Sequence, residues 1–194
     1  MGEKIRTFIA IGLPEFVLQA IAKTQDALRG SGLDIRWVRR EGIHLTLKFL
    51  GDIDRDDVGK IRAAMEEAAK GISPFTLTGD GVGVFPDFRR PRVIWAGISG
   101  DVQALFALQS ALESQLKGLG FPKEKRYFKG HLTMGRVKDR VDRTKLRESL
   151  EGLARFETGS FTVQSVVLFQ STLRPQGAVY TRLAEVDLRS AKNA

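Results

Sequence analysis

The sequence predicts an antiparallel α+β fold built from two similar halves, and three observations point there. Stretches with strand character follow one another in groups, with helices only between the groups, which disfavours a doubly wound parallel sheet. The order of elements in the second half echoes that of the first. The 194 residues contain no segment rich enough in Pro or Ser to separate independent domains, so residues 1–194 read as one domain of two lobes.

Residues 5–11 have the composition of a strand, and Pro14 followed by Phe16, Val17, Ala20, Ile21 and Leu28 predicts a helix opened by proline and closed near Gly30. A short strand around Ile35 to Val38 and a stronger one from Ile43 to Leu50 come next, the latter ended by Gly51. Asp54 then reads as the N-cap of a helix running to about Ala69. The carboxylates at 52, 54, 56 and 57 do not form a calcium loop, because Asp57 occupies the glycine position and Ala63 the twelfth. Residues Phe75 to Val84 and Arg92 to Ile98 predict two more strands. Glycines 79, 81 and 83 do not complete a dinucleotide fingerprint, so a bulged strand or hairpin is expected there. The second half predicts a helix from Val102 to Leu116, a basic loop, a strand from His131 to Val137 and a helix from Asp142 to Leu153. Strands at Phe161 to Phe169 and Ala178 to Val186 follow, and the last residues read as a loose tail.

Composition narrows the chemistry. With 42% hydrophobic and 28% charged residues the chain can bury a core. The absence of cysteine removes disulfides, thiolate nucleophiles, iron–sulfur clusters and cysteine zinc sites, so any chemistry uses oxygen and nitrogen side chains. The apolar run Phe8 to Leu13 is too short for a signal or membrane span, which predicts a cytoplasmic protein without a membrane partner. Arg6 stands where a myristoylation motif wants Ser or Thr. The 31 basic and 23 acidic residues leave a formal charge of +8 and favour a polyanionic partner, nucleic acid above all.

The chain has two histidines, and both sit in one tetrapeptide frame: His44-Leu45-Thr46-Leu47 and His131-Leu132-Thr133-Met134, 87 residues apart. On a strand, positions i and i+2 share a face, so each frame presents a His and a Thr together while Leu45, Leu47, Leu132 and Met134 point into a core. If a pseudo-twofold axis relates the halves, two imidazoles and two hydroxyls surround one small site. Displacement at phosphorus needs one group to take a proton and another to give one, and imidazoles titrate near neutral pH. Threonine hydroxyls can donate to the non-bridging oxygens. No metal or other cofactor is then required. Either frame alone reads more readily as a β-forming Thr beside a satisfied strand histidine; the matched pair is the informative signal.

Paired frames of this kind resemble the 2H phosphoesterase superfamily. The longer runs Arg6-Thr7-Phe8-Ile9-Ala10-Ile11, Trp37, His44-Leu45-Thr46-Leu47-Lys48-Phe49-Leu50-Gly51, Phe85-Pro86, Arg92 to Gly97, and Gly130-His131-Leu132-Thr133-Met134-Gly135-Arg136-Val137-Lys138 are similar to its RNA 2′,3′-cyclic phosphodiesterase branch, also called 2′-5′ RNA ligase. The resemblance spans residue 5 to about 187. It implies a bilobal fold with two antiparallel sheets flanking a central cleft and helices outside, hydrolysis of 2′,3′-cyclic phosphate ends to 2′-phosphates, and a capacity to join RNA ends through a 2′-5′ linkage. It further implies that His44 and His131 are catalytic, with His131 as base towards water and His44 as acid to the 3′ oxygen. Thr46 and Thr133 would bind the phosphate, and Arg136 would contact it. Strict alternation puts Gly135 on the His131 face, so that role for Arg136 requires a twist, bulge or strand end. Gly130 stands where many members read proline.

Basic residues gather beside both frames: Arg36, Arg39, Arg40 and Lys48 near the first, and Lys123, Lys125, Arg126, Lys129 and Lys138 near the second, with Arg89, Arg90 and Arg92 as a third cluster. They are candidates to hold RNA phosphates. Lys48 is the best of them, because alternation places it with His44 and Thr46. Phe8, Trp37, Tyr127 and Phe128 are candidates to stack a base, although aromatic residues on strands are more often core. The expected partner is RNA with a 2′,3′-cyclic phosphate end, met by a monomer. Two alternatives stay open: a phosphodiesterase for small cyclic nucleotides and a non-catalytic RNA-binding module. A metallophosphoesterase is disfavoured by two histidines and carboxylates that do not cluster by motif.

Overall fold

The computed structural model describes residues 2–138, 141–153, 155–175 and 177–189. Its strands are β1 (Lys4–Ile11), β2 (Ile35–Trp37), β3 (Leu45–Asp54), β4 (Phe75–Phe85), β5 (Val93–Gly100), β6 (His131–Val137), β7 (Glu157–Val163), β8 (Ser165–Arg174) and β9 (Gly177–Asp187). The helices are α1 (Glu15–Arg29) between β1 and β2, α2 (Val58–Ala69) after β3, α3 (Val102–Gly118) after β5 and α4 (Arg143–Glu151) after β6.

Every pairing between these strands is antiparallel. They lie in the order β7-β4-β5-β6-β3-β1-β8-β9, with β2 against the free part of β6. The two halves, β7-β4-β5-β6 and β3-β1-β8-β9, touch at β3 and β6 through one registered pair, Leu45 with Leu132. A seam one residue pair wide joins the two antiparallel sheets into one, and the cleft lies over it. Helix α1 packs on β7, and α2 packs on α3 and β9. Each half therefore turns one face to helices and the other to the cleft. Leu45, Leu132 and Met134 are fully buried on the helix side, as the alternation of each frame requires.

The antiparallel α+β class agrees with the sequence, and three local features differ from it or refine it. The run read as one strand over Phe161 to Phe169 is two strands, because the chain breaks at Gln164 and passes from one half of the sheet (β7 on β4) to the other (β8 on β1). Asp54 does not cap α2: its carboxylate pairs with Lys4 at 2.9 Å, and a 3₁₀ turn over Arg55–Asp57 precedes the helix. By contrast, Asp142 accepts from the Lys145 backbone N–H at 3.0 Å and caps α4. The bulge expected among the β4 glycines is present between Asp80 and Val82, where Gly81 takes φ +67°. Of the last residues, expected as a loose tail, Leu188 is buried and its N–H donates to the Gln164 carbonyl at 2.8 Å, and 190–194 lie outside the described residues. Among the described residues no helix is long and apolar enough to cross a membrane.

Candidate active site

The seam sets the geometry of the two histidine frames. Leu45 opposite Leu132 defines an antiparallel register, and continuing that register by one residue places His44 beside Thr133 and Thr46 beside His131. Two imidazoles and two hydroxyls thus form a diagonal quartet about the pseudo-twofold axis, on the cleft side of the seam. The leucines occupy the opposite face with no exposure, which leaves the four polar side chains no room to turn inward.

Both strands then bulge at the same place. Ile9 pairs with Lys48 and Ala10 with Thr46, so Leu47 is the extra residue on β3; Ile94 pairs with Gly135 and Trp95 with Thr133, so Met134 is the extra residue on β6. A bulge resets the side-chain alternation beyond it. On β6 this brings Arg136 onto the face of Thr133, where it lines the same cavity as His44 and Thr46. The bulge that the Arg136 expectation required is therefore present.

On β3 the same event corrects the expectation for Lys48. Strict alternation put it beside His44 and Thr46, yet the bulge turns it to the helix side with its partner Ile9. Lys48 is 3% exposed there, and Nζ donates to both Glu113 carboxylate oxygens of α3 at 3.0 and 2.9 Å and to the Pro122 carbonyl. Lys48 does not face the cleft; Phe49 takes the place on the cleft face that Arg136 occupies in the other half. Glu113 also accepts from the Glu124 backbone N–H at 3.4 Å, so the pair ties down the loop that leads to His131.

The two rings have different neighbours. His44 stacks on Phe8 with centroids 4.6 Å apart and meets the edge of Tyr180 at 5.1 Å. Burial in this aromatic nest pushes its pKa down to about 4, against a backbone hydrogen bond to Gly42 that favours the charged ring and with a small further push from His131. His131 meets Phe85 edge-on at 4.9 Å. Its Nδ1 lies 2.7 Å from the Lys129 carbonyl. A carbonyl only accepts, so Nδ1 carries the proton and Nε2 keeps a free lone pair. Burial lowers the His131 pKa as well, and the Lys129 ammonium adds to that. Lys129 Nζ itself lies over the Trp95 ring at 4.6 Å. Trp95 can lie flat because β4 has Gly83 beneath it, where a Cβ would stand 2.4 Å from the indole.

A cleft cavity of about 490 Å³ joins His44, Thr46, Thr133 and Arg136 with Phe49 and Tyr180. His131 stands two residues before Thr133 on the same strand. Such a site offers a proton acceptor, a second imidazole, two hydroxyl donors and a guanidinium around one anion.

Sequence reasoning missed Gln25. Its Nε2 donates to the Met134 carbonyl at 2.8 Å and the Val38 carbonyl at 2.9 Å, holding the β6 bulge from α1. The signal was available, since Gln25 sits between Ile21 and Leu28 on the apolar face of that helix. Tyr180 was missed too, and nothing in its local sequence marks it. Of the aromatic candidates, Phe8 supports His44, whereas Trp37 pairs with Gly135, receives Arg29 over its ring at 5.8 Å and also lines the cleft cavity. Tyr127 is fully exposed, and Phe128 packs edge-on against Phe106 at 5.9 Å.

The comparisons with known proteins agree with this fold. The profile of the LigT-like phosphoesterase family matches residues 11–95 and again 97–180, one match for each histidine frame. The chain is 35% identical over 178 residues to an RNA 2′,3′-cyclic phosphodiesterase of Methanothermobacter thermautotrophicus, covering 92% of this chain and 96% of that one. It is 33% identical over 181 residues to the protein of the same name from Methanocaldococcus jannaschii, covering 93% and 99%. Among solved structures, a Thermus thermophilus protein superposes with a TM-score of 0.78 at 27% identity, covering 96% of this chain and 99% of that one. E. coli LigT complexed with 3′-AMP superposes with a TM-score of 0.73 at 26% identity, over the same shares. With the family profile matched over residues 11–95 and 97–180, and relatives more than 30% identical over nearly the full length, the chain belongs to the LigT-like phosphoesterase family.

Proposed function

We propose that the protein hydrolyses RNA 2′,3′-cyclic phosphate ends to 2′-phosphates. The observation that carries this reading is the diagonal quartet: the register of Leu45 with Leu132 brings His44, Thr133, Thr46 and His131 together at one seam. Relatives named RNA 2′,3′-cyclic phosphodiesterase support the substrate class.

In the proposed reaction the cyclic phosphate sits over the seam with its non-bridging oxygens towards the Thr46 and Thr133 hydroxyls and Arg136. His131 Nε2 takes a proton from water as its oxygen attacks phosphorus. His44 gives a proton to the 3′ oxygen as the P–O3′ bond breaks, which leaves the phosphate on the 2′ oxygen. The Lys129 carbonyl supports the first role, since it fixes the tautomer with a free Nε2. The aromatic nest keeps His44 neutral in the free protein, with its pKa lowered to about 4, so the second role requires the bound substrate to charge the ring. The bound phosphate anion supplies the field that charges it. With a 5′-hydroxyl in place of water as the nucleophile, the same pair in the same roles, His131 taking its proton and His44 giving one to the 3′ oxygen as the P–O3′ bond breaks, would form a 2′-5′ linkage.

One chain supplies both histidines and both threonines, so we infer that the protein acts as a monomeric unit, and its RNA substrate accords with a cytoplasmic setting. The test is to incubate purified protein and excess EDTA with an RNA ending in a 2′,3′-cyclic phosphate. The expected product is a 2′-phosphate, identified by mass and by resistance to a 3′-phosphatase. A folded protein that binds RNA and yields no product from pH 5 to 9 would overturn the reading in favour of an RNA-binding module.

A further inference from the structure

The carbonyl that sets the His131 tautomer comes from outside the sheet. Strand β6 begins at His131, and among the described residues 123–130 form no backbone–backbone hydrogen bond. The Lys129 carbonyl, 2.7 Å from His131 Nδ1, is therefore oriented by no ladder. Side chains tie this loop down instead. Glu113 takes the Glu124 N–H at 3.4 Å, and Phe128 meets Phe106 edge-on at 5.9 Å.

Lys129 itself is held by its ammonium. Among the described residues Nζ meets no carboxylate; it lies 4.6 Å from the centre of the Trp95 ring and 5.2 Å from that of Phe85. Both rings adjoin the His131 half of the quartet. Trp95 is the registered partner of Thr133, as Gly97 is of His131, so the indole stands on the cleft face. Phe85 meets Trp95 at 5.0 Å and His131 edge-on at 4.9 Å. The indole Nε1 is buried without an acceptor among the described residues, a cost that a phenyl ring would not carry. What an indole offers over a phenyl ring is the stronger attraction of its face for a cation.

Resting on the proposed role of His131 as base, we propose that Lys129 is a positioning residue: its ammonium, docked on Trp95 and Phe85, fixes its own carbonyl against His131 Nδ1. One residue carries both ends of the device. With the cation docked, Nδ1 keeps the proton and Nε2 presents its lone pair to the attacking water. Without it, the peptide plane after Lys129 can turn and His131 loses its acceptor. The ring then also populates the tautomer protonated on Nε2, which cannot take a proton from water.

The experiment uses the full chain and three substitutions. Lys129→Met keeps an apolar stem and removes the cation, Lys129→Arg keeps a cation for the rings, and Trp95→Leu removes the indole. In the ligand-free protein, above the pH range in which His131 titrates, the chemical shifts of its two ring nitrogens report the tautomer. Wild-type protein and Lys129→Arg should show the proton on Nδ1, and Lys129→Met a mixture. With adenosine 2′,3′-cyclic phosphate as substrate, kcat should fall about twofold to thirtyfold in Lys129→Met, the span that corresponds to one cation–π contact. KM should stay near the wild-type value, and Lys129→Arg should restore most of the rate. Trp95→Leu should lose at least as much, and its double variant with Lys129→Met no more than Trp95→Leu alone, since both remove the same contact. Ring shifts unchanged in Lys129→Met, or a loss that appears in KM and grows with the length of the RNA, would show the ammonium serving the substrate and would overturn the proposal. Wild-type protein that turns over no cyclic phosphate would instead overturn the reaction on which it rests, while the ring shifts still test whether Lys129 sets the tautomer.

Discussion

The two halves of the molecule share one frame and make opposite environments with it. In each, a His, a buried leucine and a Thr are followed by a bulged residue, Leu47 in one and Met134 in the other. Position 48 therefore corresponds to 135, and position 49 to 136. In the second half, β2 backs onto the frame, and a Cβ at Gly135 would stand 2.7 Å from Ile35. In the first half no strand among the described residues fills that place and α3 lies behind β3, which leaves room for the buried Lys48–Glu113 pair. On the cleft face the contrast is Phe49 against Arg136. The first half is an aromatic nest around His44, and the second is a cationic face around His131. Duplication sets two identical groups at one phosphate, and the neighbours then make them chemically distinct.

The comparison is broken most severely by removing either ring. His44→Ala and His131→Ala are each expected to lose on the order of 10²–10⁴ in kcat with far-ultraviolet circular dichroism unchanged. Full turnover in one of them would show that only one half is catalytic. Next in size is Lys48→Met, which leaves Glu113 buried and uncompensated and should cost about 3–5 kcal/mol in urea unfolding. The double variant with Glu113→Met should recover much of that loss, because two apolar side chains then replace the pair. A double variant as unstable as the single would contradict this reading of the site.

Stability as a function of pH separates the two halves further. The folded-state pKa of His44 is depressed to about 4 from 6.5, so between those values the unfolded chain binds more protons and stability falls as pH falls. The full span is worth on the order of 3 kcal/mol. His44→Gln should flatten that part of the profile, as read by unfolding midpoints from pH 7 to 4. The smallest effect expected is at the equivalent cleft positions. Arg136→Gln should lower kcat/KM by about tenfold to a hundredfold through a lost charge-assisted contact, while Phe49→Gln should change it less. A larger loss at Phe49 would reverse the assignment of the cationic half.

Much of this was legible in the primary structure, for a simple reason. The period of two in a strand is local, so His and Thr at i and i+2 could be placed on one face and their leucines behind them. Helix limits such as Pro14 and Asp142 were equally local. The side on which Lys48 lies was not, because it depends on a bulge whose place is decided by neighbouring strands and, on β6, by Gln25 reaching across from α1. The crossing at Gln164 was hidden for a similar reason. An apolar run on both sides reads as one strand until the two pieces find different partners.

The central claim is that both imidazoles face one phosphate. With two histidines in the chain, the ring Hε1 protons give two resonances, and each can be titrated by NMR without and with the product-like ligand adenosine 2′-monophosphate. Without ligand both rings should titrate below 6.5, His44 near 4. A shared phosphate anion should raise both pKa values together, since the anion favours each charged ring. If the ligand binds and only one resonance moves, the two histidines do not serve the same phosphate and the account is wrong.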